Sequence, residues 1–306
     1  MTIRDADRPP IHGRRMAAIE WLQRPEYRVA GLSGEVAFSV AYTEQSFDPG
    51  PAELQDLFWP TGSEVSWLGG PAGGVTEDDW PRRADGRPLA HVATFDLADA
   101  YNTIDAESRS DWPPGQEGLP HHGVLQIFHD LTDTYGYEPD DRLTRGWRVL
   151  WDPQPDRSLL TTGPADLELP TDACQVILPL ATFTVPSAAD AIGAPTAVFE
   201  ATDAANDQLQ RMWAWQRTLN RAAEPIPFTH LYGHAQNGNR HAALNVLPTC
   251  LPLTIPGDRY RLVAEIEGQT TLEGWFGDGS PLEVWMRDSD LRARAFDAAW
   301  CIIRSD

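Results

Sequence analysis

Strict alternation of apolar and polar residues marks several strands along this chain. From Glu35 to Tyr42, Val36, Phe38, Val40 and Tyr42 fall on one side and Ala37, Ser39 and Ala41 on the other, which predicts a half-buried strand. The same period returns from Val124 to His129, where Val124, Gln126 and Phe128 oppose Leu125, Ile127 and His129. Further strands are predicted at Leu89 to Phe95, Gly146 to Trp151, Cys174 to Leu180, Phe228 to Gly233, Tyr260 to Glu267, Leu282 to Met286 and Ala299 to Ile303. Helical spacing is rarer. Met16 to Arg24 predicts a short helix with Met16, Ile19 and Leu22 on one side, stopped by Pro25, and Pro51 opens another through Phe58. A longer helix, capped by Thr202 or Asp203, carries a stripe of Leu209, Met212, Trp213 and Leu219 and ends before Pro225.

Between Thr61 and Gly86 the chain is rich in Gly, Pro, Asp and Trp, which predicts an irregular loop that packs through its tryptophans. On either side of the middle, two segments echo each other. Leu89 to Asp96 parallels Arg261 to Glu267, and Gly123 to Asp130 parallels Gly279 to Met286. Each half offers a strand ending in a carboxylate, a glycine-containing turn and a second strand. With no βαβ rhythm, the pattern predicts an α+β fold: two pseudo-repeated antiparallel-sheet halves, a few helices and an N-terminal extension. The expected division is 1–60 (extension), 61–153 (first half), 154–224 (Pro-rich connection and helix) and 225–306 (second half).

Several short motifs occur in a fixed order: Gly69-Gly70-Pro71, Trp80-Pro81, Pro88-Leu89, Asp96-Leu97 and the strand from Gly123 to Asp130. His230, Gly233 and Gln236 follow, then Trp275 with Gly277-Asp278-Gly279, Asp290-Leu291, and Phe296 to Trp300. In this order they resemble the YwqG-like family, a bacterial family of unknown function, over roughly residues 60 to 305. The chain departs from that pattern where Phe276 separates Trp275 from Gly277, and the strand from Tyr260 to Glu267 is more polar than its counterpart. The resemblance implies an immunity or accessory protein that meets a toxin domain.

Composition narrows the chemistry. An apolar fraction of 42% with 12 tryptophans in 306 residues describes a folded globule. No stretch reads as a signal peptide or a membrane span. Three widely spaced cysteines suit a reducing cytoplasm, the expected location. Against 45 acidic residues stand 24 basic ones, all arginine, for a net charge of −21. That balance excludes nucleic acid and anionic membranes as expected partners and allows a basic protein. Without lysine there is neither a Schiff-base nucleophile nor a P-loop.

No catalytic set, metal site or cofactor is expected from the motifs. His230-Leu231-Tyr232-Gly233-His234, with His241 downstream, has metal-like spacing, but the nearby glycines argue against the helix that two ligands four apart need. His121-His122 reads as exposed loop. Asp96, Asp99, Asp130, Glu265, Glu267 and Asp278 fall at strand ends or turns, where a carboxylate ordinarily caps its own backbone. Two functions are therefore expected from different classes. The first is a protein-binding, non-catalytic protein with a basic partner. The alternative is a small-ligand or metal-binding protein, or a hydrolase, with a cleft between the halves near Asp96, Asp130, His230 and Asp278.

Overall fold

A computed structural model describes residues 14–44, 54–112, 118–170, 173–216, 229–236, 240–268, 271–276 and 281–304. Its strands are β1 (Ala37–Glu44), β2 (Ser66–Gly69), β3 (Ala72–Gly73), β4 (Ala90–Asp96), β5 (Val124–His129), β6 (Trp147–Asp152), β7 (Leu160–Thr161), β8 (Cys174–Thr184), β9 (His230–Leu231), β10 (Tyr260–Ile266), β11 (Leu282–Arg287) and β12 (Trp300–Ile303). Ten of them form one sheet in the order β12-β11-β10-β9-β1-β8-β2-β4-β5-β6, while β3 and β7 make a separate two-stranded sheet. Neighbours in the large sheet run antiparallel. With its helices this is the mixed α+β class the alternation predicts, and every predicted strand with described residues is present.

The centre of the sheet comes from outside the two expected halves. All eight residues of β1 pair with β8, Ala37 opposite Thr184 through Glu44 opposite Ile177. On its other side β1 meets β9 through Val40–Leu231 and Ala41–His230. One face of the sheet is apolar and forms the main core, with Phe38, Val40 and Tyr42 of β1, Phe183 of β8, Phe95 of β4, Ile127 of β5 and Val284 of β11. The other face is covered too. Ser39, Ala41, Thr182, Thr184, His230, Glu265 and Glu283 are all at most 1% exposed. The expectation of a half-buried β1 is thereby corrected, because its small and polar side lies under other chain instead of water.

The sheet curls until its edges nearly meet. The Trp147 indole of β6 donates to the Ala299 carbonyl at 3.0 Å, and the Ile303 amide of β12 donates to the Tyr135 carbonyl at 3.0 Å. The result is close to a barrel, which shields the edge strands that an open sheet would expose.

Two registers break in the same way. Between β4 and β5 the pairing slips after His91–Phe128, leaving Val92 as a bulge; between β10 and β11 it slips after Leu262–Trp285, leaving Val263. Both β2 and β9 end in two consecutive left-handed residues, Gly69-Gly70 (φ 63°, 63°) and Tyr232-Gly233 (φ 62°, 84°). At Gly233 an added Cβ would lie 2.1 Å from the Thr184 hydroxyl, so only glycine fits there.

The helices depart further from expectation. Arg15–Leu22 forms, but it buries Ala18, Trp21 and Leu22 and leaves Met16 52% exposed. The long helix begins at Thr196 just after Pro195 and runs to Gln216. Thr202 is therefore interior and donates its hydroxyl to the Val198 carbonyl at 2.8 Å, a back-bond one turn earlier and not a cap. Of the predicted stripe, Leu209 is buried, while Leu219 and the side chains of Met212 and Trp213 lie outside the described residues. Residues 54–58 make a single wide turn, and the region expected to be irregular contains β2 and β3.

Candidate functional site

The strand-end carboxylates hold the backbone that follows them. Asp96 closes β4 and starts the helix Leu97–Asn102; its Oδ1 accepts the amides of Ala98 at 3.0 Å and Asp99 at 3.1 Å. Arg157, lying over the Trp59 ring, reaches Asp96 Oδ2 at 3.3 Å. Asp130 follows β5 and is 2% exposed. Its Oδ1 faces the amides of Thr132, Asp133 and Thr134 at 3.3–3.4 Å, and its Oδ2 accepts the Thr134 hydroxyl and the Arg83 guanidinium, both at 2.5 Å. Asp96 pairs with Val124 and His129 with Ala90, so the two acids sit at opposite ends of the β4–β5 ladder. At strand rise that is roughly 20 Å. The fold does not bring them together, and Asp278 lies outside the described residues.

His230 sits in β9 with no exposed surface. Burial pushes its pKa down to about 4, so the ring is neutral at pH 7. Its Nδ1–H donates to the Tyr232 carbonyl at 2.8 Å, and Nε2 lies 3.8 Å from Glu265 Oε1. His234 turns elsewhere, its Nε2 at 2.7 Å from the Glu35 carbonyl. The side chain of His241, the third member of the metal-like spacing, lies outside the described residues. Among the described residues no group of three or more His, Cys, Asp or Glu gathers as a metal would require. His121 and His122 are exposed, as expected, with His121 stacked on Tyr101 at 3.8 Å.

His230, Glu265 and Glu283 are successive cross-strand neighbours on β9, β10 and β11. Glu265 accepts the Gln236 amide at 2.9 Å. Glu283 accepts the Trp285 indole N–H at 2.7 Å and the Arg304 Nε–H at 2.6 Å. Between β4 and β5 a neutral pair is buried: Thr94 lies opposite Gln126, and the Gln126 amide exchanges two hydrogen bonds with Gly73 at 2.9 and 3.1 Å. Sequence reasoning missed Glu283. Between Leu282 and Val284 it reads as an outward, solvated residue, and only an indole and a guanidinium folding over it make it interior. The three cysteines are buried thiols outside any disulfide, and burial pushes the Cys301 thiol pKa up, away from reactivity.

A cavity lies elsewhere, beside the Tyr232-Gly233 turn. A cleft of about 290 Å³ runs between residues 34–38 and the adjoining ends of β9, β10 and β11. Phe38, Leu262 and Trp285 border it but are at most 4% exposed, and Tyr232, Tyr260, Arg259 and Arg261 complete its wall. Asp288, 6% exposed, holds Arg261 at 3.1 Å and Arg292 at 2.5 Å and lies 3.8 Å from Arg259. Nothing in the alternation pattern marks this cleft; it exists because the turn after β9 and the start of β10 face the chain leading into β1.

The sequence pattern of a family described as a domain of unknown function, DUF1963, matches residues 66–304. The chain belongs to that family. The DUF1963 span takes in β2 through β12, so the sheet apart from its central β1 is family structure. Residues 34–38 of the cleft precede the span, while its remaining lining residues fall within it. No curated protein matches the chain. Among the described residues, no helix is long and apolar enough to cross a membrane.

Proposed function

We propose that this DUF1963 member is a binding protein whose acidic exterior meets a basic protein partner, such as a toxin domain, in an immunity or accessory role. The observation that carries this reading is the net charge of −21, set beside where the carboxylates go. Asp96 and Asp130 are consumed by caps and turns, whereas Glu77, Asp78, Asp79, Asp156, Asp166 and Glu168 are exposed. The β3–β7 pairing and the Arg82–Asp166 ion pair at 2.7 Å draw the loops bearing these six toward one side. An acidic surface of this kind speeds encounter with a cationic partner and makes association sensitive to salt.

The test is co-purification with, and protection against, the product of the neighbouring gene. The reading expects a complex whose association slows as salt rises, and rescue of growth on co-expression. No complex at low salt, or no rescue, removes it. The hydrolase alternative has less support, since Asp96 and Asp130 are far apart and His230 has no exposed surface. A small-ligand role is favoured by a separate observation, the arginine-bearing cleft.

The internal repeat belongs to the same reading. We infer that β2-β4-β5-β6 and β9-β10-β11-β12 are two copies of one unit placed on either side of β1 and β8. The mirrored strand order, the paired left-handed residues after β2 and β9, and the bulges at Val92 and Val263 support it. Kinship with the YwqG-like family is part of this proposal. A crystal structure in which no single rotation carries Val92 and its strands onto Val263 and its strands would refute the duplication.

A further inference from the structure

We propose that Asp99 and Glu64 anchor a lysine side chain of the basic partner. This rests on the reading that such a partner exists, and it names where one of its cations is held. Asp99 lies on the helix Leu97–Asn102, which starts where β4 ends at Asp96. Its Oδ2 is buried without a hydrogen-bond partner. The charges beside it, Asp96 and Glu64, are of its own sign. Among the described residues, neither Asp99 nor Glu64 has a cationic partner. Burial first, and then these two carboxylates, push the Asp99 pKa up to about 6. An arriving cation relieves that repulsion and favours the ionised form.

A second observation comes from β1. Tyr42 is 2% exposed, and its hydroxyl, which faces Asp99 beside Ser66, has no hydrogen-bond partner. The Ser66 hydroxyl accepts the Asp96 amide at 2.9 Å. A phenol and a carboxylate oxygen are thus both buried and unmet at one place, which costs stability. Once a cation ionises Asp99, its Oδ2 is an acceptor for the Tyr42 O–H.

The surroundings select the kind of cation. Arg157 already serves Asp96, reaching its Oδ2 at 3.3 Å from over the Trp59 ring, and leaves Asp99 and Glu64 unmet. Among the described residues no three acids gather as a metal would require. An ammonium needs no such cage: it is a compact charge on a flexible stem and can meet two carboxylates from the solvent side. The chain contains no lysine, so the ammonium comes from another molecule. Glu64 is exposed, and Arg157 follows Asp156, whose carbonyl accepts the Trp59 indole N–H at 3.3 Å. The anchor therefore adjoins the acidic surface that draws a basic partner in.

Fluorescence anisotropy of labelled hexa-lysine titrated with the full chain tests this. Asp99→Asn should weaken binding about fivefold or more, whereas Glu20→Gln, the same loss of charge at an exposed position elsewhere, should weaken it less than about twofold. The melting temperature of Asp99→Asn at pH 7 should be unchanged or raised, since the replacement removes a carboxylate crowded by its own kind. Between pH 5 and 7 binding should tighten as Asp99 ionises, and more steeply in the native chain than in Asp99→Asn. Equal effects of the two replacements, a lower melting temperature for Asp99→Asn, or identical pH profiles overturns the assignment. Hexa-lysine replaces the partner, so the two tests separate. A protective complex indifferent to Asp99→Asn removes the anchor and keeps the partner; hexa-lysine held through Asp99, with no complex from the neighbouring gene, does the reverse.

Discussion

Trp147, the first residue of β6, donates its indole N–H to the Ala299 carbonyl and packs edge-on against Trp300, the first residue of β12, at a centroid distance of 4.9 Å. Trp300 in turn donates to the Gly136 carbonyl at 2.8 Å. Two edge strands from opposite ends of the sheet are thereby joined without forming a strand ladder. Trp147→Phe keeps most of the packing and strands the Ala299 carbonyl, for an expected loss of about 1–3 kcal/mol in urea unfolding. Trp300→Ala should cost about 3–5 kcal/mol. In a double-mutant cycle the pair should couple by about 0.5–1.5 kcal/mol; strict additivity would mean the edges are held by something else.

Asp96 and Asp130 should respond differently to amide replacement. Asn caps a helix about as well as Asp, so Asp96→Asn should cost under about 1 kcal/mol. Asp130 is buried against Arg83, itself only 10% exposed on its side chain. Asp130→Asn removes the buried one of Arg83's acidic partners, leaving Asp133 at 2.9 Å and Asp85 at 3.4 Å, and should cost about 1–3 kcal/mol. Equal losses in denaturant midpoints for the two variants would contradict these roles.

Acid should unfold the protein through its histidines before most carboxylates respond. Burial pushes the pKa of each of His91, His129 and His230 from 6.5 down to about 4. Their folded values lie below the unfolded ones, so between these limits the unfolded chain takes up more protons. The associated stability is full above pH 6.5 and is lost as the pH falls toward 4, at up to about 1.4 kcal/mol per pH unit for each histidine. Asp99, raised to about 6 by burial, acts in the opposite sense but is only half-enclosed and offsets at most one of the three. Urea midpoints recorded from pH 7 to 5 should fall steadily; a flat profile would show these rings are not held neutral.

Gly233→Ala should be costly while Gly257→Ala is mild. Both have positive φ, 84° and 81°, but an added Cβ collides with Thr184 only at Gly233 and meets nothing within 4 Å at Gly257. The left-handed strain alone is worth about 1–2 kcal/mol; the clash at Gly233 adds to it and should also disturb the neighbouring cleft. Comparable melting temperatures for the two variants would place the β9 turn differently.

Strands were the legible part of this chain. A period of two is local, so β1, β5 and β11 could be read one residue at a time. Burial of their second face was not legible, since alternation distinguishes in from out but cannot say whether out is water. Ser39 and Glu283 look solvated in sequence and are enclosed by residues far along the chain. The helix Arg240–Cys250 was hidden by Asn237-Gly238-Asn239 before it and Pro248 inside it, both ordinary helix breakers. Of the candidate site residues, the strand-end position of Asp96 and Asp130 was readable from the following turn chemistry. Their separation was not, because it depends on the antiparallel pairing of β4 with β5. The cleft, assembled from segments about 200 residues apart, left no local trace.

The central position of β1 bears on how the chain is made. Its ladder partner starts at Cys174, about 130 residues after Glu44, and its other neighbour, His230–Leu231, is later still. On the ribosome, Phe38, Val40 and Tyr42 emerge long before either flank exists to cover them. Closure of so distant a loop slows folding, and an apolar segment left waiting is a target for chaperones or for other nascent chains. The middle of the finished sheet thus holds its first-made strand, which waits about 130 residues for a partner.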